Sequence, residues 1–104
     1  MRRSEKFKQL LDSVCEVTEI RKKEILSQSK LMDVCMARNL LFLLCHRGGL
    51  RPVTIRRLCQ MEGWDSVGHS TVLKNITRAT KLEEEDEEFK SFLDEITKSI
   101  HSSD

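Results

Sequence analysis

The sequence contains no tyrosine, one tryptophan, four phenylalanines, one proline and four glycines. Sandwiches and barrels need many aromatic strand residues and turn residues, so this scarcity argues against both. The longest apolar run, Leu40–Cys45, is far shorter than the roughly 20 residues that cross a bilayer, and Met1–Glu5 lacks an apolar export segment. We therefore expect a cytoplasmic protein, without a membrane partner, whose mostly helical fold has an aliphatic core.

The sequence also lacks the spacings typical of metal sites and enzymes. Its cysteines form no C-x-x-C pair and stand at Cys15, Cys35, Cys45 and Cys59. They are expected to be reduced core residues, although a zinc site that recruits His46 or His69 is conceivable. There is no G-x-x-x-x-G-K-S/T loop and no nucleophile with a base at meaningful spacing, so no cofactor and no enzymatic activity are expected.

The near-neutral net charge of +1 is the sum of two segments of opposite charge. Residues 1–81 carry 16 lysines and arginines against eight acidic residues, a net +8, whereas residues 82–104 carry two against nine, a net −7. This asymmetry favours a polyanion-binding body with an acidic end, although a solvated helix that begins with glutamates explains the acidic segment equally well.

Apolar periodicity predicts a single domain over residues 1–104, ordered from about 4 to 100. The chain has no repeat, hinge or low-complexity linker. The predicted fold is an all-α bundle of about six helices, a long central one being apolar around most of its circumference. The predicted helices cover about residues 4–17, 19–26, 30–47, 53–62, a segment capped by Asp65 or Ser66 and continuing to about 82, and 86–100.

The fourth and fifth helices, joined by a turn near Gly63, outline a helix-turn-helix. The run Gly68-His69-Ser70-Thr71-Val72-Leu73 resembles the Asp-His-Ser/Thr-Thr-Val signature of the carboxy-terminal DNA-binding domain of the bacterial replication initiator DnaA. Two further segments are similar to that family in the same order: Glu24-Ile25-Leu26-Ser27 before its basic loop, and Ala37-Arg38-Asn39-Leu40 at the start of its long central helix. The resemblance covers about residues 4–100.

The resemblance implies that His69, Ser70 and Thr71 read base edges in the major groove, where short polar side chains at a helix N-terminus can meet bases. Without it, the ordinary interpretation of these residues is a helix N-terminus that bonds its own turn.

The resemblance also implies phosphate contacts. Arg38 is expected to bind phosphate, the alternative being a surface salt bridge with Asp33 or Glu24. Lys30 stands where the family's basic loop enters the minor groove, and Gly68 is expected to let the backbone approach the DNA. Further backbone candidates, with a solvated basic face as the alternative, are Arg56, Arg57, Lys74 and Arg78.

Three departures from the family affect these expectations. Gly68 replaces the usual aspartate, so base preference should differ; the Gln28–Asp33 loop is poor in arginine; and the turn 61–67 is about two residues longer, with Trp64 either packed there or stacked outward.

The sequence therefore predicts a stand-alone, sequence-selective binder of double-stranded DNA in the bacterial cytoplasm, associated with the nucleoid. It would act without an ATPase in replication initiation or its regulation, with a replication or regulatory protein as a further partner. The alternative is a protein-interaction module that kept the fold and lost DNA affinity. A continuous cationic face around His69 would favour DNA, and an exposed apolar patch around Trp64 would favour the alternative.

Overall fold

A computed structural model describes the backbone of residues 2–102 and the side chains of residues 2–100. This part of the chain folds into six α-helices and contains no strand. Residues 1, 103 and 104, which the predicted single domain also includes, lie outside the described part. The helices are α1 Arg3–Thr18, α2 Lys22–Ile25, α3 Met32–Arg47, α4 Pro52–Met61, α5 His69–Glu85 and α6 Glu87–Ser102.

The central helix is α3, which packs against each of the other five helices. Its apolar side chains point in all directions and most are fully buried, Phe42 and Leu40 among them. A helix with apolar residues around its whole circumference is stable only when it is surrounded by other elements, as α3 is here. The all-α class and the count of six helices predicted from periodicity are confirmed.

The second predicted helix is much shorter than expected. Glu19 ends α1 in the left-handed conformation, with a φ of 60°, and its N–H donates to the carbonyl of Cys15. The chain must leave the helical path at this residue, so α2 is left with the single turn Lys22–Ile25. Its buried Ile25 still joins the core beneath α3.

The fifth helix begins later and ends later than predicted. Neither Asp65 nor Ser66 caps it; the residue before its first turn is Gly68, and the helix continues to Glu85. Asp86 alone separates it from α6, and the Oδ1 of Asp86 accepts hydrogen bonds from the N–H groups of Glu88 and Phe89. A side chain that caps the next helix in this way ends one helix and starts another without a loop.

No helix in residues 2–102 is long and apolar enough to span a membrane.

Candidate nucleic-acid interface

The turn between α4 and α5, residues 62–68, is fixed by polar contacts from three parts of the chain. At its start the carboxylate of Glu62 lies 2.6 Å from Lys22 Nζ. Further along, Ser66 Oγ lies 2.8 Å from Gln28 Nε2, and the carbonyl of Val67 accepts a hydrogen bond of 3.1 Å from Arg56 Nε. The residues that precede α5 are therefore held in place by α2, by the loop after α2 and by α4.

Trp64 anchors the middle of this turn in the core. Its side chain is only 6% exposed and its ring stacks against Phe42, with the ring centroids 6.4 Å apart and the planes inclined by 15°. Of the two placements left open by the sequence, packing is the observed one. The indole ring itself is therefore not part of the exposed surface, whereas Met61, at the end of α4, is 70% exposed.

The N-terminus of α5 faces outward from this fixed turn. Gly68 precedes it in an extended conformation, and no side chain caps the helix. His69 and Ser70 are exposed, while Thr71 is half-buried and its carbonyl accepts a hydrogen bond from Asn75 Nδ2. The first backbone N–H groups of a helix have no partner within it, so this end of α5 offers donors, an imidazole and a hydroxyl to an outside ligand.

The cations near this helix end differ in their availability. Lys74 and Arg78 are exposed on α5 itself. Arg56 is half-buried because its Nε bonds the turn, and Arg57, one position further on α4, is exposed. Lys30 is exposed on the loop between α2 and α3. The structure brings Arg56 to the turn before α5, whereas Arg57 lies on another side of α4.

The expectation that Arg38 lies on the surface is wrong. Its side chain is 5% exposed, with Nε donating to the carbonyl of Ile25 at 2.9 Å and Nη1 to that of Ser29 at 3.2 Å. Its guanidinium also lies over the ring of Trp64. The alternative salt bridge with Asp33 or Glu24 is not formed either, since Glu24 pairs with Arg21. In this buried position Arg38 contacts the loop before α3 and the turn before α5, and it is not part of the exposed cationic surface.

The loop that precedes α3 is joined to the α4–α5 turn and borders a groove. Gln28 makes the bond to Ser66, and Lys30 follows two residues later. The groove has a volume of about 610 Å³ and runs between α3, α5 and the start of α6; Lys30 and Arg78 both line it. Beside Lys30, Leu31 is 66% and Met32 90% exposed. The loop that carries Lys30 is thus in direct contact with the turn between α4 and α5.

The cysteines are thiols in two different environments. Cys45 and Cys59 are fully buried, and loss of solvation raises the pKa of Cys59 to about 12 and that of Cys45 still further. Cys15 and Cys35 are half-buried. Among the described residues, no three histidines, cysteines or acids lie close enough together to hold a metal ion.

The acidic segment lies at the opposite end of α5 from His69. Glu83 pairs through both carboxylate oxygens with the guanidinium of Arg47, at the end of α3. At 1.5 Å per residue, Glu83 is about 21 Å from His69 along the helix. The Debye length at physiological salt is about 8 Å, so these glutamates do not screen the N-terminus of α5.

Two residues fix the interface from behind: Gln28, to which the sequence analysis gave no role, and Arg38, which it placed on the surface. Neither belongs to a periodic apolar pattern, and both act over long separations in the chain, 38 residues for Gln28 to Ser66. The one available signal was the position of Arg38 inside a helix that is otherwise apolar on all sides.

Comparison of the chain with protein-family models, with curated proteins and with solved structures gave no match.

Proposed function

We propose that this protein binds double-stranded DNA through a helix-turn-helix formed by α4 and α5, with the N-terminus of α5 in the major groove. The observation that carries the proposal is the uncapped, outward-facing start of α5, with exposed His69 and Ser70, on a turn fixed at Glu62, Trp64, Ser66 and Val67. The major groove is about 12 Å wide and admits a helix, and readout requires side chains held in a defined register.

The charge around this helix end suits a polyanion. Residues 50–81 contain six arginines and lysines and only two acidic residues, Glu62 and Asp65. Glu62 is neutralised by Lys22. The positive end of the helix dipole adds to the attraction, because the first N–H groups of α5 point out of the protein.

In this proposal His69 and Ser70 contact base edges in the major groove of the DNA, and the half-buried Thr71 makes a third contact with the bases. Lys74, Arg56 and Lys30 contact phosphates on either side, and Gly68 allows close approach of the backbone. The chain resembles the DNA-binding domain of DnaA in these residues, and it has no nucleotide-binding loop. The role we propose is therefore to mark or compete for a site in replication initiation or its regulation, not to melt DNA.

An NMR titration of labelled protein with a mixed-sequence duplex tests the proposal at 50 and at 150 mM salt. We expect chemical-shift changes at residues 66–74 and in the 28–31 loop, and these should weaken at the higher salt. His69→Ala should reduce the shifts in α5 and weaken selective binding. His46→Ala, which removes an exposed histidine from the end of α3, is the matched control and should bind like the wild type.

Absence of any shift at 50 mM salt would reject DNA binding. The protein-interaction alternative would then be preferred, and the exposed side chains of Leu31 and Met32 would be the first surface to vary.

A further inference from the structure

The starts of α1 and α4 border a concavity that gathers three arginines. Arg2, just before α1, and Arg3, the first residue of α1, border it on one side, and Arg57 borders it from α4. The hydroxyl residues Ser4 and Thr54 also line it, and its volume is about 400 Å³. This concavity is separate from the groove between α3, α5 and α6, with which it shares no residue.

The three arginines have no acidic partner in the described part of the chain. The ion pairs of the described residues involve other cations, such as Arg21 with Glu24 and Arg47 with Glu83. No aspartate or glutamate lines the concavity. Three arginines without a lining carboxylate give the concavity a positive charge, which favours binding of an anion.

The donors of this concavity suit a phosphate group. A guanidinium presents two parallel N–H groups in the geometry of two phosphate oxygens, and neighbouring hydroxyls can donate to a third oxygen. Arg2 precedes α1 and no side chain caps that helix, so the first N–H groups of α1 remain open on the same side. All three arginines are exposed and can reach an incoming ligand.

Helix α4 lies between this concavity and the candidate interface. Arg57 and Thr54 border the concavity, whereas the neighbouring Arg56 donates to the carbonyl of Val67, two residues before His69. Adjacent helix positions differ by about 100° around the axis, so the two arginines point to different sides of α4. A nucleic-acid strand that crosses α4 would meet Arg56 first and the concavity next.

We propose that Arg2, Arg3 and Arg57 form a second phosphate-binding site, which holds the DNA backbone outside the base pairs that α5 reads. This inference rests on the proposed function and adds to it an anchor on the far side of α4. The 28–31 loop contains only Lys30 as a cation, so the arginine concavity supplies charge that this loop lacks.

The test uses the double variant Arg2→Gln/Arg3→Gln in the full chain. Affinity for a duplex is measured by fluorescence anisotropy from 50 to 300 mM salt. Each phosphate contact contributes about 0.9 to the slope of log affinity against log salt, so loss of the one phosphate that the three arginines share should make the slope shallower by about 1. We expect roughly 5- to 20-fold weaker binding at the lowest salt, with the order of preference among duplex sequences unchanged.

The control is Lys90→Gln/Lys98→Gln, which removes two exposed charges from α6 and leaves the net charge the same as in the test variant. Its salt slope should equal that of the wild type. Arg57→Gln alone should reproduce part of the effect of the double variant. In the triple variant the loss of affinity should be smaller than the sum of the two separate losses, because the three arginines would share one phosphate.

Two results separate failure of the inference from failure of the proposed function. If the wild type binds the duplex and the double variant keeps the wild-type slope, the second site is rejected and the recognition helix stands. If the wild type does not bind the duplex at all, both are rejected. Binding to phosphatidylserine vesicles that is lost in the double variant, together with an unchanged slope on DNA, would assign the arginines to a lipid surface and overturn the inference.

Discussion

The guanidinium of Arg38 lies over the indole ring of Trp64, with its Cζ 5.2 Å from the ring centroid. The same guanidinium donates to the carbonyls of Ile25 and Ser29. A cation–π contact at this distance is favourable, more so when it is shielded from water. One buried side chain thus joins α2, the loop after it and the turn that precedes α5.

Replacing Arg38 should damage stability rather than DNA contact. Arg38→Met leaves two backbone carbonyls without their donor and removes the cation from Trp64, so the free energy of unfolding should fall by about 2–3 kcal/mol. Urea denaturation, followed by helix ellipticity, measures this change. The salt slope of duplex binding by the folded fraction should stay at the wild-type value.

Arg57→Met is the matched control for the stability measurement alone, because Arg57 lines the proposed phosphate site and its loss is expected to change the salt slope. Arg57 is exposed on α4, so its loss should change the free energy of unfolding by no more than about 0.5 kcal/mol. A stable Arg38→Met protein whose salt slope is shallower by about 1 would show that Arg38 reaches phosphate after all.

Gly68→Asp should fit the structure and change base preference. The residue has a φ of −96°, and a Cβ built on it would lie 3.7 Å from Thr71 Oγ1 and 3.9 Å from Ser70 Oγ, which is ordinary contact. The new carboxylate can cap α5 and interact favourably with the positive end of its dipole, so we expect a gain of about 0.5 kcal/mol and a melting temperature higher by roughly 2–4 °C.

A site-selection screen measures the effect of Gly68→Asp on preference. The carboxylate can accept a hydrogen bond from a cytosine amino group, so cytosine should become enriched at one position. Gly68→Asn, which caps without the charge, is the control. Identical selected sites for the wild type and Gly68→Asp would place residue 68 away from the bases.

The ion pair between Arg47 and Glu83 should make a small, pH-dependent contribution to stability. The hydrogen bonds from Arg47 hold the pKa of Glu83 below its ordinary value. A lowered pKa in the folded state stabilises the fold above the unfolded-state pKa, and this stabilisation is lost as pH falls through the folded-state pKa. Both side chains are partly exposed, so Glu83→Gln should cost about 0.5 kcal/mol at pH 7.

Urea denaturation of the wild type and Glu83→Gln at pH 7 and at pH 3 tests this contribution. The difference between them should be smaller at pH 3 than at pH 7, because protonation of the wild-type carboxylate as the pH falls removes the ion pair. Glu84→Gln, at an exposed neighbouring position, is the control and should show a smaller difference at pH 7. A cost for Glu83→Gln that does not depend on pH would contradict the ion-pair explanation.

Thiol labelling should divide the four free cysteines into two groups of different reactivity. Burial keeps the thiols of Cys45 and Cys59 protonated, with the pKa of Cys59 raised to about 12, and thiolate is the reactive form. Iodoacetamide at pH 8 should therefore modify the half-buried Cys15 and Cys35 in the native protein, and all four in 6 M guanidinium. Mass spectrometry of peptides reads the result. Fast native labelling of Cys45 would show that the core opens at α3.

Much of the fold follows from local pattern. Apolar residues at helical spacing predicted six helices, and α3 and α4 begin and end within two residues of expectation. The start of α2 was wrong because Glu19 adopts a positive φ, which the sequence does not announce in a residue other than glycine. The start of α5 was wrong because capping residues were expected at 65–66, whereas the turn extends through Val67, whose carbonyl is bonded by Arg56.

The candidate site was only partly predictable. Exposure of His69 and Ser70 agrees with the role that the family resemblance implies, and that role stays a prediction. The burial of Arg38 depends on Trp64, 26 residues further along the chain, and on two carbonyls that no side-chain pattern encodes. The grouping of Arg2 and Arg3 with Arg57 likewise depends on how α1 meets α4.

Helix α5 makes the protein an electric dipole. From His69 to Lys81 it carries three cations and no acid, and from Leu82 to Glu85 three acids and no cation, over a helix of about 25 Å in a molecule whose longest extent is 31 Å. A charge distribution of this kind experiences a torque in the field of a polyanion, which turns the His69 end towards it before contact. Orientation during approach is thus encoded in the helix itself: encounter should be fast at low salt, slow down steeply as salt rises, and depend on which end of α5 a mutated charge occupies.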